Sequence, residues 1–535
     1  MPVRLRRLLR RLKRSIRRFP WRSTGPVLAQ AALLGAALVV LAWHGGGGRL
    51  AVATAVAGGL VGGSWLAPAV KRLVLRPLAY AIDLPGAPSA QPERHFSTRA
   101  WLGVSLLGSG AFVVLAVAGA QGWTFVAVAV GTGVGWLAVA RDALRAEGHV
   151  RQLRGALKAY APELALTYGG KSGGPWQLRM WEPYLLESGR KLVAFTLDED
   201  YLSQIREGVT VPLVQLPGLD RRAFARLVVP SLHSFFYVQN ASRNAVYLAS
   251  RNVNHVWLGH GDSDKPASVS RHHNGYDRLL VSGQAAIDRY ADSGVHIDPE
   301  KFVVVGRPQV SAVHPATGPI AELDHPVVLY APTWQGKTTR VNFSSLPIAT
   351  GIVDALIARG ATVIFRPHPL SASWREPREA IRAVQALLRA DRDRTGRPHR
   401  FGDAAEKDWT LVDCANHADA LISDVSSVVS EFLQSTKPYA MVSMHADAEA
   451  FRAQFPIART GYVLTRDLED LEKVLDDLLR NDPLSAAREE TKRYVLGDFT
   501  GEESAAAFTT FVRSLGHRGR RPMLARWRSR STPPT

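Results

Sequence analysis

The sequence has one cysteine, Cys414, among 535 residues. An intramolecular disulfide is therefore impossible, and a cysteine-rich zinc site is excluded. That usage fits a reducing compartment. There is no GxxxxGK(S/T) run, which removes the phosphate-cradling loop of one large class of nucleotide hydrolases. No well-placed HExxH run suggests a helical zinc site. Acids are missing from the start of the chain, where ten Arg and Lys fall between positions 4 and 22. A second basic cluster occupies positions 513–530, and the middle of the chain is much closer to balanced despite a net charge of +19. Such ends suit nucleic acid or an anionic surface equally, so their neighbours must decide.

Charge is also absent from four apolar runs, at about 25–43, 50–70, 100–120 and 122–140. A helix of this length can cross a hydrocarbon core of about 30 Å, and glycine and alanine in the runs suit close helix packing. We therefore expect about four transmembrane helices over residues 25–140, after a basic segment at 1–24. The Lys/Arg bias sets their orientation. Arg49 alone lies in the first connection, whereas Lys71, Arg72, Arg76, Arg94 and Arg99 fall in or near the second. The expectation is a multi-pass membrane protein with everything beyond residue 141 in the cytoplasm. Anionic membrane lipid is then the expected partner of the basic ends. Nucleic acid is not, because the clusters flank spans and form no aromatic-interleaved platform.

From about residue 192 short apolar runs alternate with helical periodicity. "LVAF", "VNHVWL", "RLLVSG" and "KFVVVG" read as strands, and so do "PVVLYAPT", "ATVIFRPHP", "DALISD" and "KPYAMVS". This alternation implies α/β structure with parallel sheets. We expect two Rossmann-like domains, at 141–315 and 316–515, followed by a basic tail at 516–535. The stretch 389–403, "RADRDRTGRPHRFGD", reads as an exposed polar insertion.

Sites in such folds gather at the carboxyl ends of strands, and four strand ends here are polar. His260 and Gly261 follow "VWLG", with Lys265 close behind. The imidazole can act as a general base, and the glycine admits a substrate close to the backbone; a surface histidine in a turn fits equally. Thr333 and the amides after Pro332 can meet an anion, or simply form a strand exit. Arg366 and His368 stand in "RPHP", where a guanidinium fork suits phosphate; a structural ion pair is the alternative. Asp424 ends "DALISD", and Ser426 and Ser427 open an apolar helix carrying Glu431. Serine caps helices, and free amides at a helix start also favour phosphate. The adjacent histidines of "RHHNGYD" read as a loop or an acceptor contact.

The order of these elements is more specific than any one of them. His-Gly with a nearby lysine, "YAPTW", "RPHP", D-x-SS leading a helix with an acid, then "KP", resembles the CDP-glycerol glycerophosphotransferase family of bacterial wall teichoic acid primases and polymerases. The resemblance covers roughly 253–511. It implies a GT-B architecture, two Rossmann-like domains with the active site between them. It also implies roles: His260 as general base, with Arg366 and His368 at the donor diphosphate. Thr333, Asp424, Ser426, Ser427 and Glu431 would bind the donor, and Gly261 and Lys265 would meet acceptor or phosphate. The implied donor is CDP-glycerol or CDP-ribitol, the acceptor is a polyprenyl diphosphate-linked hydroxyl, and CMP leaves. No metal or cofactor is implied. The chain departs from the family pattern at Gly259, where a Trp is usual, and at Val425, Gln335 and Glu431. A GT-B glycosyltransferase using a sugar nucleotide and a catalytically lapsed scaffold are the competing readings.

Overall fold

The computed structural model describes residues 21–44, 47–73, 78–90, 98–119, 122–169, 176–197, 199–200, 202–218, 221–259, 261, 268–336, 342–499 and 502–517. They form two compact units. One is residues 1–160 with 214–217, and the other is 161–213 with 218–535.

The first unit is built on helices α1 (Trp21–Trp43), α2 (Gly47–Leu73), α3 (Thr98–Val117) and α4 (Gly122–Tyr160). Leu34 and Leu41 of α1 pack with Val56 and Leu60 of α2, Phe112 of α3 and Phe125 of α4. The two phenylalanine rings lie 5.1 Å apart. Each apolar run therefore becomes a helix, but the expectation of membrane spans is overturned: among the described residues no helix is long and apolar enough to cross a membrane. The helix bounds also differ from the expected runs. They take in Arg22 in α1, Arg49, Lys71 and Arg72 in α2, and Arg99 in α3. In α4 the apolar run continues directly into "RDALRAEGHVRQLRGALK". The expected multi-pass placement in the cell membrane, with a cytoplasmic catalytic part, is corrected with it. The basic segment 1–20 and most of the closing basic cluster lie outside the described residues, and with them the expected lipid contact.

Two parallel sheets organise the second unit. The first carries β1 (Leu164–Tyr168), β2 (Leu192–Thr196), β3 (Ser234–Tyr237), β4 (Asn254–Trp257), β5 (Arg278–Val281) and β6 (Phe302–Val304). Their order is β2-β1-β3-β4-β5-β6. The second carries β7 (Val327–Ala331), β8 (Thr362–Phe365), β9 (Ala420–Ser423), β10 (Tyr439–Ser443) and β11 (Tyr462–Thr465), in the order β8-β7-β9-β10-β11. Most of these strands are buried along their length, as parallel strands covered on both faces must be. The α/β pair of Rossmann-like halves expected from the alternation is what forms.

Seven helices matter for the site: α5 (Glu182–Leu186), α6 (Gln284–Asp292), α7 (Arg375–Thr395), α8 (Leu411–His417), α9 (Ser427–Phe432), α10 (Ser485–Leu496) and α11 (Glu503–Ser514). The stretch 389–403 is mostly exposed, as expected, but it is not an insertion. It holds the end of α7, a left-handed Gly396, and a return that pairs with β8: Arg400 N donates to Val363 O at 3.0 Å and Phe365 N to Arg400 O at 2.8 Å. Buried Asp391 accepts from Arg397 and His399, each at 2.9 Å, and His399 Nδ1 in turn accepts from Val363 N at 2.9 Å. Arg392, Asp393 and Arg394 face solvent as the charge pattern suggests, whereas the Asp391 carboxylate is buried against its cations.

The last two helices turn back onto the first half. Tyr494 of α10 donates to Asp288 Oδ2 of α6 at 2.9 Å. Phe508 of α11 packs on Trp181, centroids 5.1 Å apart. Backbone meets backbone at Gly283, where an added Cβ would stand 2.6 Å from Tyr494 O and 2.7 Å from Val495 O. Neither atom can swing aside. Gly283→Ala should therefore destabilise the fold by about 1–3 kcal/mol, the usual effect of overpacking, read as a lower denaturant midpoint with unchanged slope; an unchanged midpoint would show that α10 does not dock so tightly.

Candidate active site

β7 and β8 stay paired beyond their last residues. Arg366 N donates to Tyr330 O and His368 N to Pro332 O, both at 3.0 Å, so "RPHP" runs alongside "YAPT". Pro367 falls between the two donors, where its missing N–H removes nothing from this pairing. At the end of β9, Asp424 is fully buried. Its Oδ2 accepts from Thr333 N at 2.6 Å and Ser345 N at 3.1 Å. The carboxylate thus shapes the exit of β7. Burial, followed by the nearby Asp424 charge, pushes the Tyr330 hydroxyl well above its ordinary range.

Arg366 reaches sideways. Its Nη1 donates to Trp409 O at 2.8 Å and to Ala405 O, and lies 3.9 Å from Cys414 Sγ on α8. Burial pushes the Cys414 thiol up against the opposing pull of Arg366. His368 caps the turn Pro369–Ser373, its Nδ1 accepting from Leu370 N at 3.1 Å. That bond assigns the proton of a neutral ring to Nε2. Trp334 lies 6.3 Å from the His368 ring and stacks on Trp374 at 5.7 Å.

Ser426 caps α9 through Val428 N, 3.4 Å from its Oγ. With six residues, α9 has little macrodipole, so it offers local amides rather than a field. The first half comes up against this helix start: a Cβ built on Gly261 would stand 3.4 Å from both Cβ and Oγ of Ser427. Gly261 and Ser427 are 166 positions apart by subtraction of their numbers, yet the two motif loops touch. His260 and Lys265 lie outside the described residues. Glu431 is not open on all sides, because its Oε1 accepts from Arg307 Nη2 at 2.6 Å and Nε at 3.2 Å. Sequence reasoning passed over Arg307. Its signal was a single basic residue held between Gly306 and Pro308 in the connection after β6.

The sequence of residues 257–456 matches the family described as CDP-Glycerol:Poly(glycerophosphate) glycerophosphotransferase. Those residues belong to the CDP-glycerol glycerophosphotransferase family. The match supports a CDP-glycerol-dependent glycerophosphotransferase. Among solved structures, the wall teichoic acid polymerase TagF is similar at 11% identity and a TM-score of 0.43, covering 69% of this chain and 93% of that one. A glycosyltransferase from Rickettsia africae ESF-5 is similar at 12% identity and a TM-score of 0.43, covering 66% of this chain and 98% of that one. A UDP-N-acetylglucosamine 2-epimerase from Listeria monocytogenes, described as putative in its own name, has 12% identity and a TM-score of 0.43, covering 64% and 93%. Likenesses this distant do not speak to substrate. No curated protein matches the chain.

The structure accounts for two departures of the chain from that family's pattern. Gly259 adopts φ +69°, a left-handed conformation that suits glycine far better than tryptophan. Its carbonyl accepts from the indole Nε1 of Trp181 at 2.7 Å, so a tryptophan from another segment serves the same loop. Val425 is buried in the second half's core with Val429 and Phe432, where an aromatic ring would need more volume. Beneath the loop, Trp257 packs on His273 at 4.4 Å and on Tyr276 at 5.3 Å. His273 is fully buried and hydrogen-bonded to Tyr290 OH at 2.5 Å. No group of three or more His, Cys, Asp or Glu able to hold a metal occurs among the described residues.

Two predictions follow from these contacts. Asp424→Ala leaves two buried amides without their acceptor, which should cost about 2–5 kcal/mol of stability; Asp424→Asn, which keeps an acceptor oxygen, should cost less by thermal unfolding. Burial, helped by His272, lowers the His273 pKa to about 4 from 6.5. The unfolded chain then binds the extra proton first as pH falls. Stability from this group is complete above pH 6.5 and is lost progressively towards about pH 4, by about 3 kcal/mol. His273→Gln should flatten the pH dependence of unfolding across that window, whereas a slope equal to that of the wild type would refute the assignment.

Proposed function

We propose that this enzyme transfers an alditol phosphate from CDP-glycerol or CDP-ribitol to a hydroxyl of a polyprenyl diphosphate-linked teichoic-acid-type acceptor. The observation that carries the proposal is the approach of Gly261 to Ser427. It brings the His-Gly loop of the first half against the D-x-SS turn of the second, inside the region that matches the family. In this reaction the acceptor oxygen attacks the β-phosphorus, the bond to the bridging oxygen breaks, and CMP departs with the bonding pair. His260 takes the acceptor's proton. His368 donates through Nε2 and the amides after Pro332 and Ser426 line the diphosphate, stabilising charge on the departing CMP. Arg366 supplies positive potential from one side while its Nη1 braces the loop before α8. Asp424 acts by holding Thr333 in place. Glu431 accepts from a donor hydroxyl, and Lys265 with Gly261 meets the acceptor side.

The test is CMP release by the full-length protein given CDP-glycerol or CDP-ribitol with lipid-linked acceptor. One of the two should turn over, and His260→Ala should lower the rate by about 10²–10⁴-fold, the range for a lost general base. Turnover of a sugar nucleotide with both CDP-alditols inert would overturn the proposal in favour of a glycosyltransferase.

A further inference from the structure

The acid on α9 poses an electrostatic difficulty. A donor diphosphate carries negative charge, and Glu431 stands one helical turn beyond Ser427, on the same face of α9. An uncompensated carboxylate there repels the ligand that the site is built to hold. The compensation comes from the other half. Arg307 follows β6, and its guanidinium is almost wholly enclosed, with 4% of the side chain exposed against 14% for Glu431. Both Nε and Nη2 converge on the single oxygen Oε1. The neighbours of Arg307 are fixed as well. Tyr184 OH donates to Pro308 O at 2.9 Å, and Gly306, at φ +69°, lies against Ser504 of α11.

Stability alone is a poor account of such a pair. Enclosing two charges carries a desolvation penalty, and well-packed apolar side chains often serve a fold as well or better. We propose that Arg307 is a positioning residue for the donor site. It cancels the charge of Glu431 beside the diphosphate and fixes the carboxylate through Oε1, so that Oε2 is the oxygen turned to the donor. Because the pair spans the two halves, donor affinity depends on their alignment. This inference rests on the reading that the cleft takes a cytidine diphosphate donor.

The experiment is isothermal titration of CDP into the full chain, with thermal unfolding of each variant in parallel. Arg307→Met should weaken CDP binding at least tenfold, since it exposes the diphosphate to an uncancelled carboxylate. Arg307→Met combined with Glu431→Gln should bind CDP at least threefold more tightly than Arg307→Met alone, because no anion is left to cancel. Arg307→Lys keeps the charge, and should bind within about threefold of wild type even if the methionine variant does not fold. Wild-type affinity in Arg307→Met, no recovery in the folded double variant, or a tenfold loss in folded Arg307→Lys would each overturn the inference while leaving the donor class intact. Absence of CDP binding by the wild type would instead remove the donor reading on which it stands.

Discussion

A carboxylate sealed inside the second half underlies the geometry of the site. Asp424 ends one strand and receives backbone amides from two other segments, at Thr333 and Ser345. Burying a charge is tolerable only when donors surround it, and here backbone amides of fixed direction provide them. The exits of β7 and β9 are thereby tied at one level. β8 is tied to β7 in turn, since Arg366 and His368 continue to bond with Tyr330 and Pro332. Three strand ends thus share one floor, and "YAPT", "RPHP" and D-x-SS stand together on it.

The arrangement also sorts residues that look alike in sequence. Both Arg366 and Arg307 are single arginines at the ends of apolar strands, yet one bonds to carbonyls of its own half and the other reaches into the opposite half. His368 and His273 both follow a basic residue by one or two positions. One caps a turn at half exposure, and the other is enclosed under an indole. Position relative to the floor decides which of them a substrate can meet.

How much of this was legible in the sequence follows from the range of the forces involved. Strands such as "PVVLYA" and "ALIS" were readable because parallel strands are continuously apolar, a local property. The gathering of "YAPT", "RPHP" and D-x-SS was readable because connectivity in α/β folds puts strand ends on one edge. The Arg307–Glu431 pair was not, since nothing local links residues 124 positions apart. In 389–403 the exposure was readable from the local charge, but the buried Asp391–His399 contact and the pairing of Arg400 with β8 were not. In the first unit the apolar runs were read correctly as helices, whereas the charged residues within the same helices were set aside as flanks.

The return of α10 and α11 to the first half has a consequence for how the protein comes into being. Tyr494 binds Asp288 across 206 positions, and Gly283 fits only against the backbone of α10. During synthesis at about 5–20 residues per second, the first half therefore waits about 10–40 s, with that groove unfilled, for its last helices to emerge. The nascent chain is most exposed to wrong partners in that interval, because the Trp181 ring that Phe508 later packs on still lacks that neighbour.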